Sequence, residues 1–285
     1  VGVAVVPSVG AGRARLRSVT TDARLAARLA EQAGEELLRL RDDVPAGAGP
    51  TDPKELGRRG DAAANELLVR SLREQRPGDA VLSEESADDR RRLGAERVWI
   101  VDPLDGTREY GLGRPDWTVH VALWEAAAAA REPGTGITAA AVARPDSGEV
   151  LVTDDIAAGK AGAKIPGNRV RILVSDTRPP DFANAVAARL DADLVPRGSA
   201  GAKAVAVLRG EADAYLHAGG QYEWDSAAPV GVAHAAGLYA SRIDGSPLRY
   251  NAPDPYLPDL LICRPGLAGD LLAAVAAATT DTNDA

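Results

Sequence analysis

Apolar positions recur at helical spacing over 21–41, where Leu25, Leu29, Ala33, Leu37 and Leu40 share one side. Thr21 or Asp22 is placed to cap that helix. A loop rich in Pro, Gly and Ala follows over 44–53. A second helical pattern covers 61–75, with Leu67, Leu68, Val69 and Leu72 apolar, and Pro77-Gly78 breaks it. The period then shortens. Residues 80–83 and 97–101 are short apolar runs of the buried-strand type, 117–124 alternates, and 138–143 and 150–153 read as further strands. Pro145-Asp146-Ser147-Gly148 supplies a hairpin turn. Past a Gly/Ala/Lys segment at 157–167, strands at 169–175, 194–196 and 212–216 alternate with helices at 181–190, 200–209 and 226–236. This pattern predicts a flexible extension over 1–20, an α+β lobe over 21–160 and an α/β lobe over 161–285.

Composition narrows the partners. The 285 residues are 45% hydrophobic and 26% charged, as in a globular chain. A net charge of −8 argues against a nucleic-acid backbone as the ligand. No apolar window is long enough to span a membrane, and the start lacks the pattern of a secretory signal. The single cysteine, Cys263, excludes an internal disulfide, fits a cytoplasmic protein, and lies in an apolar run where a buried, inert thiol is expected. His120, His217 and His234 are scattered; His234 is expected in the core, and none is assigned to chemistry.

The chemistry gathers at Trp99-Ile100-Val101-Asp102-Pro103-Leu104-Asp105-Gly106-Thr107. A strand ends there in two carboxylates that repel one another unless cations intervene. Gly106 lets the backbone approach a ligand closely, and the amides of Gly106 and Thr107 can face an anion. Asp-Pro-x-Asp-Gly is also ordinary turn chemistry. Two further acidic clusters at element ends, Ser83-Glu84-Glu85 and Glu223-Trp224-Asp225, make independent turns a poor account of all three. Carboxylates for hard cations beside amides for a phosphate are what metal-assisted phosphate-ester hydrolysis needs.

Ser-Glu-Glu, then Trp-Ile-Val-Asp-Pro-Leu-Asp-Gly-Thr, then Trp-Asp-Ser-Ala-Ala, in that order, resembles the inositol monophosphatase superfamily of Mg-dependent, lithium-inhibited phosphatases. Arg108-Glu109-Tyr110 and the Gly198 to Lys203 loop are similar to its 3′(2′),5′-bisphosphate nucleotidase branch, in particular to the actinobacterial members associated with sulfate assimilation. The resemblance implies a layered α-β-α-β-α fold with the active site between two lobes. It implies hydrolysis of 3′-phosphoadenosine 5′-phosphate (PAP) to AMP and phosphate, with 3′-phosphoadenosine 5′-phosphosulfate (PAPS) as a further substrate. The alternative is an inositol-1-phosphate or fructose-1,6-bisphosphate phosphatase using the same site. Oligomeric state stays open between monomer and homodimer.

Carried over residue by residue, the resemblance gives Glu84, Asp102, Thr107 and the carbonyl of Leu104 to one Mg2+. It gives Asp102, Asp105 and Asp225 to a second, with room for a third. Glu85 would orient a metal-bound water. Asp61 would act with Thr107 on the attacking water, although Asp61 also reads as an N-cap of the second helix, and its lead-in Gly57-Arg58-Arg59-Gly60 departs from the family's. Asp225 likewise reads as an N-cap, which is compatible with metal ligation. Gly106 and Thr107 would hold the scissile phosphate. Ser199 and Lys203 are assigned to the ribose or the 5′-phosphate, and Ser175 and Arg178 to the same groups, against the plainer readings of a solvated lysine and an exposed loop arginine.

Overall fold

The structure, a computed structural model, describes residues 21–43, 52–131, 135–156 and 169–283. The extension, the 157–167 segment and most of the first loop therefore lie outside the described residues. Helix α1 (Asp22–Asp42) is capped by Thr21, whose hydroxyl accepts the Arg24 N–H at 3.2 Å. Leu25, Leu29, Ala33 and Leu37 of its apolar stripe are fully buried, each leucine there contributing about 2 kcal/mol, and Leu40 is partly buried.

Helix α2 (Pro53–Gln75) starts well before the expected position 61, capped by Asp52, with proline in its first turn. Asp61 is thus a mid-helix residue and not an N-cap. Gly57 and Gly60, ahead of the expected start, are helical and let α2 press against the site. A methyl group at Gly57 would lie 2.7 Å from Thr107 Cγ2, and one at Gly60 3.0 Å from side-chain atoms of Leu104, Leu37 and Tyr110.

Strands β1 (Ala80–Ser83), β2 (Arg97–Asp105), β3 (Thr118–Glu125), β4 (Ile137–Arg144) and β5 (Glu149–Val152) form one sheet in sequence order. Its β1–β2 pair is parallel and the others are antiparallel. Between β2 and β3 runs a short helix α3 (Thr107–Gly111), and α4 (Ala126–Ala129) joins β3 to β4. The second sheet contains β6 (Val170–Ser175), β7 (Ala192–Arg197), β8 (Ala214–Tyr222), β9 (Tyr239–Ser241) and β10 (Tyr256–Cys263), ordered β7-β6-β8-β10-β9. Helices α5 (Ala183–Arg189), α6 (Ala200–Leu208), α7 (Glu223–Ala235) and α8 (Ala268–Asn283) complete the chain.

Alternation along each strand divides the core in three. Trp99, Val101, Val119 and Val121 face α1 and α2. Val98, Ile100, Val142, Tyr215 and Ile262, drawn from both sheets, enclose α6 and α7. Ile172, Val174, Leu216 and Leu261 face outward onto α5 and α8. The layers are therefore α-β-α-β-α, as the resemblance implies. Cys263 is fully buried, and burial pushes its thiol up to about 12, which makes it inert. His234, expected in the core, is on the exposed side of α7; the Ala-rich face of that helix is the buried one. Among the described residues no helix is long and apolar enough to cross a membrane.

Candidate active site

The site forms where the C-terminal end of β2 meets the starts of α6 and α7. Asp102 is 1% exposed. Its Oδ1 accepts the Leu104 N–H at 3.0 Å, and its Oδ2 is buried with no hydrogen-bond partner. Carboxylate oxygens of Asp102, Asp105 and Asp225 lie within 4.8 Å of one another. An orphaned anionic oxygen facing two other carboxylates is an arrangement a cation completes. The all-oxygen donor set fits a hard divalent ion.

The surroundings of the four acids shift them in different directions. Burial, then the charges of Glu84, Asp105 and Asp225, raises Asp102 well above the ordinary range. Asp225, an N3 residue of α7 rather than its N-cap, accepts the Tyr222 N–H at 2.7 Å, yet burial and Asp105 push it up to about 6. Glu84 lies outside the close trio; burial, then the charges of Asp225 and Glu85, push it up to about 8. Asp105 goes the other way. Burial raises it, but bonds from His120 and Ser199 outweigh that and hold it far below the usual value. Its Oδ1 accepts the Ala200 N–H at 3.0 Å, and Oδ2 accepts Gly201 N–H at 2.7 Å together with the Ser199 hydroxyl. Asp105 thereby closes the N-terminal end of α6, where an anion is favoured.

Thr107 joins the two halves of the machinery. Its hydroxyl lies 3.2 Å from Asp61 Oδ1 and 3.1 Å from the Leu104 carbonyl. Burial, then Glu85, pushes Asp61 up to about 7. Glu85 is exposed, and its charge acts on Asp61. Gly106 has φ +94°, and a side chain there would crowd Ser199 and Trp117 at 3.2 Å.

A cavity of about 310 Å3 opens from Asp105, Thr107 and Asp225 toward Ser175, Arg178, Ser199 and Lys203. The sequence-assigned substrate residues therefore share one wall system, but two of them have other work. Lys203 is 4% exposed, and its ammonium donates to the carbonyls of Arg197, Gly198 and Ser199 at 3.2, 3.2 and 2.6 Å. It is neither solvated nor free to reach a ligand; it braces the loop, and burial lowers it to about 8. Ser199 accepts the Ala202 N–H at 3.0 Å at the start of α6 and bonds Asp105, in the left-handed region at φ +51°. Ser175 accepts the Arg178 N–H at 3.1 Å.

Sequence reasoning passed over His120. It is fully buried, with Nδ1 3.0 Å from the Trp224 carbonyl and Nε2 2.9 Å from Thr118 Oγ1 and 3.3 Å from Asp105 Oδ2. Its signal was register: in an alternating strand, Thr118 and His120 share one face. Also missed were the ion pairs joining Asp176, beyond β6, to Arg108 at 3.2 Å and Arg114 at 2.9 Å in the first half of the chain.

A carboxylate cage of this kind, beside a Thr–Asp pair and a polar cavity, defines a metal-assisted hydrolase of phosphate esters. The chain belongs to the inositol monophosphatase family, whose model matches residues 18–280. It is 54% identical over 258 residues to the 3′-phosphoadenosine 5′-phosphate phosphatase of Mycobacterium leprae (strain TN), covering 90% of this chain and 93% of that one. It is 31% identical over 249 residues to the 3′(2′),5′-bisphosphate nucleotidase CysQ of Escherichia coli O157:H7, covering 80% of this chain and 94% of that one. The fold matches an inositol monophosphatase from Zymomonas mobilis with TM-score 0.69 at 20% identity, over 90% of this chain and 97% of that one.

Proposed function

We propose that this protein is a Mg-dependent 3′(2′),5′-bisphosphate nucleotidase that hydrolyses PAP to AMP and phosphate, with PAPS as a further substrate. The observation that carries the chemistry is the unpartnered, buried Oδ2 of Asp102 among converging carboxylates. The choice of substrate rests on the 54% identity to a PAP phosphatase over nine-tenths of the chain.

In this reading Asp102, Asp105 and Asp225, with Glu84 and the Leu104 carbonyl, hold two Mg2+ ions, with room for a third. When bound, the ions supply Lewis acidity, lowering the pKa of water and offsetting charge on the transferring phosphoryl group. The residues do the rest. Thr107 donates to Asp61, so the Thr107 oxygen and the Asp61 carboxylate can both accept from one water and fix it. Asp61, at about 7, is suited to take that water's proton near neutral pH. Glu85, beside Asp61, orients the same water. The amides of Gly106 and Thr107 receive the phosphoryl oxygens. Arg178 and Ser175 meet the second phosphate, and an Arg fork suits that group. Lys203 and Ser199 act from behind, Lys203 through its charge and Ser199 through Asp105.

Side-by-side kinetics on PAP, PAPS, inositol 1-phosphate and fructose 1,6-bisphosphate with Mg2+ test the proposal. PAP is expected to give the highest kcat/KM. A higher value for either sugar phosphate would replace the nucleotidase reading with the alternative one.

A further inference from the structure

His217 and Gln221, both on β8, line the same cavity as Asp105 and Asp225 and take no part in the hydrolytic machinery described above. They are 3% and 4% exposed. Both ring nitrogens of His217 are buried without a hydrogen-bond partner, and so is Oε1 of Gln221. The Gln221 amide nitrogen donates to the Tyr215 hydroxyl at 2.6 Å, which commits the nitrogen and leaves the oxygen over. A buried polar atom left unpaired forfeits its hydration with nothing in return, so three on one cavity wall call for a ligand that satisfies them.

The kind of ligand follows from counting donors and acceptors. Burial, then the nearby charge of Lys203, lowers the His217 imidazole to about 4, so it is neutral at neutral pH. A neutral imidazole offers one N–H and one bare nitrogen, and Gln221 adds a bare oxygen. Acceptors therefore outnumber donors on this wall. A phosphate dianion, which only accepts, would leave both acceptors unsatisfied and repelled. The exposed Arg178, on the same cavity, suits phosphate instead.

Resting on the nucleotidase reading, we infer that His217 and Gln221 recognise an uncharged, hydrogen-donating group of the nucleoside, a ribose hydroxyl or a base amine. They thereby set selectivity for nucleotides over other phosphate esters. A site with buried hydrogen-bonding groups rejects a ligand lacking the matching group, because its own atoms are then left unpaired.

The experiment measures kcat/KM with Mg2+ on PAP, on its 2′-deoxy analogue and on its analogue lacking the 6-amino group, for the unaltered protein and for His217→Phe. The unaltered protein is expected to disfavour one analogue by about tenfold or more. The analogue disfavoured tells hydroxyl from amine. In His217→Phe that preference is expected to collapse toward unity. Equal use of all three substrates by the unaltered protein, or an undiminished preference in the variant, would overturn the inference. If His217→Phe does not fold, imidazole nitrogen resonances of the unaltered protein decide. Those of His217 are expected to shift with AMP and not with inorganic phosphate. No shift with AMP, or the same shift with phosphate alone, overturns it. Absence of any PAP turnover by the unaltered protein would instead count against the nucleotidase reading, and the AMP-binding spectra still judge His217.

Discussion

Asp105 stands opposite Thr118 across the β2–β3 pairing, and the Thr118 hydroxyl donates to Asp105 Oδ2 at 2.9 Å. Across a register shift between the two acids, Asp102 pairs with His120. Two residues of an ordinary alternating strand thus stand beside both acids of the Asp-Pro-Leu-Asp turn, and both bond or contact Asp105.

Thr118→Val keeps the shape of that support and removes its hydroxyl. Mg2+ affinity is expected to fall about 10-fold or more, as when a group orienting a metal ligand is lost. Stability should fall by about 1–3 kcal/mol, since Asp105 and His120 each lose a buried partner. Mg2+ titration and urea unfolding measure the two effects; unchanged affinity would show that Asp105 is positioned by α6 alone.

Gly57→Ala tests the close approach of α2. In an exposed helix the change would stabilise by up to about 1 kcal/mol. Here the added methyl meets Thr107 Cγ2 at 2.7 Å and the Thr107 carbonyl at 3.2 Å. We expect kcat to fall about tenfold through displacement of Thr107, with KM little changed. Steady-state kinetics on PAP check this, and wild-type kcat would show that Thr107 tolerates the shift.

How much of this was legible in the sequence differs from element to element. The strand running through Asp102 and the helix carrying Leu25 to Leu37 are read directly, the helix because burial on one face imposes a period and the strand because burial on both faces makes an unbroken apolar run. The start of α2 was not, because Gly57 and Gly60 are turn residues by local propensity, and only Thr107, Leu104 and Tyr110, distant in sequence, explain them. The end of the chain, β9, β10 and α8, was left unassigned although Leu260 to Cys263 is a plain apolar run. Asp102, Asp105 and Asp225 carried a chemical signal, paired acids at element ends. His120 carried only the register it shares with Thr118 and His217 carried none, since a lone histidine acquires its surroundings only when strands pair. Lys203 misled: its charge suggests a ligand, whereas the carbonyls that occupy it belong to a turn that exists only in the folded loop.

The pH–rate profile follows from Asp61. As a proton acceptor it must be ionised, and it is held at about 7, so kcat/KM rises with pH through that region. Bound cations favour the carboxylate and move the limb lower. Asp61→Asn should lose both the limb and most of the rate. A limb that survives in Asp61→Asn would place the titrating group elsewhere.

Stability of the metal-free protein should depend on pH with a definite sign. Asp225, Asp61 and Glu84, at about 6, 7 and 8, all lie above their unfolded values. The folded state keeps protons that the unfolded state releases, so this contribution is complete below about pH 4 and is lost as pH rises toward 8. Metal-free Tm should fall across that window, and Mg2+ should restore it. Asp102→Asn, which removes one acid from the cluster, is expected to make the metal-free Tm less dependent on pH and to abolish the Mg2+ response. A metal-free Tm that rises with pH would contradict the assigned shifts.

The most direct test is calorimetry of Mg2+ binding near pH 6.5, repeated in buffers of different ionisation enthalpy, on the unaltered protein and on Asp102→Asn. The cage of Glu84, Asp102, Asp105 and Asp225 predicts tight binding accompanied by release of protons, with both lost in the variant. Binding without proton release, or equal binding by Asp102→Asn, would contradict it.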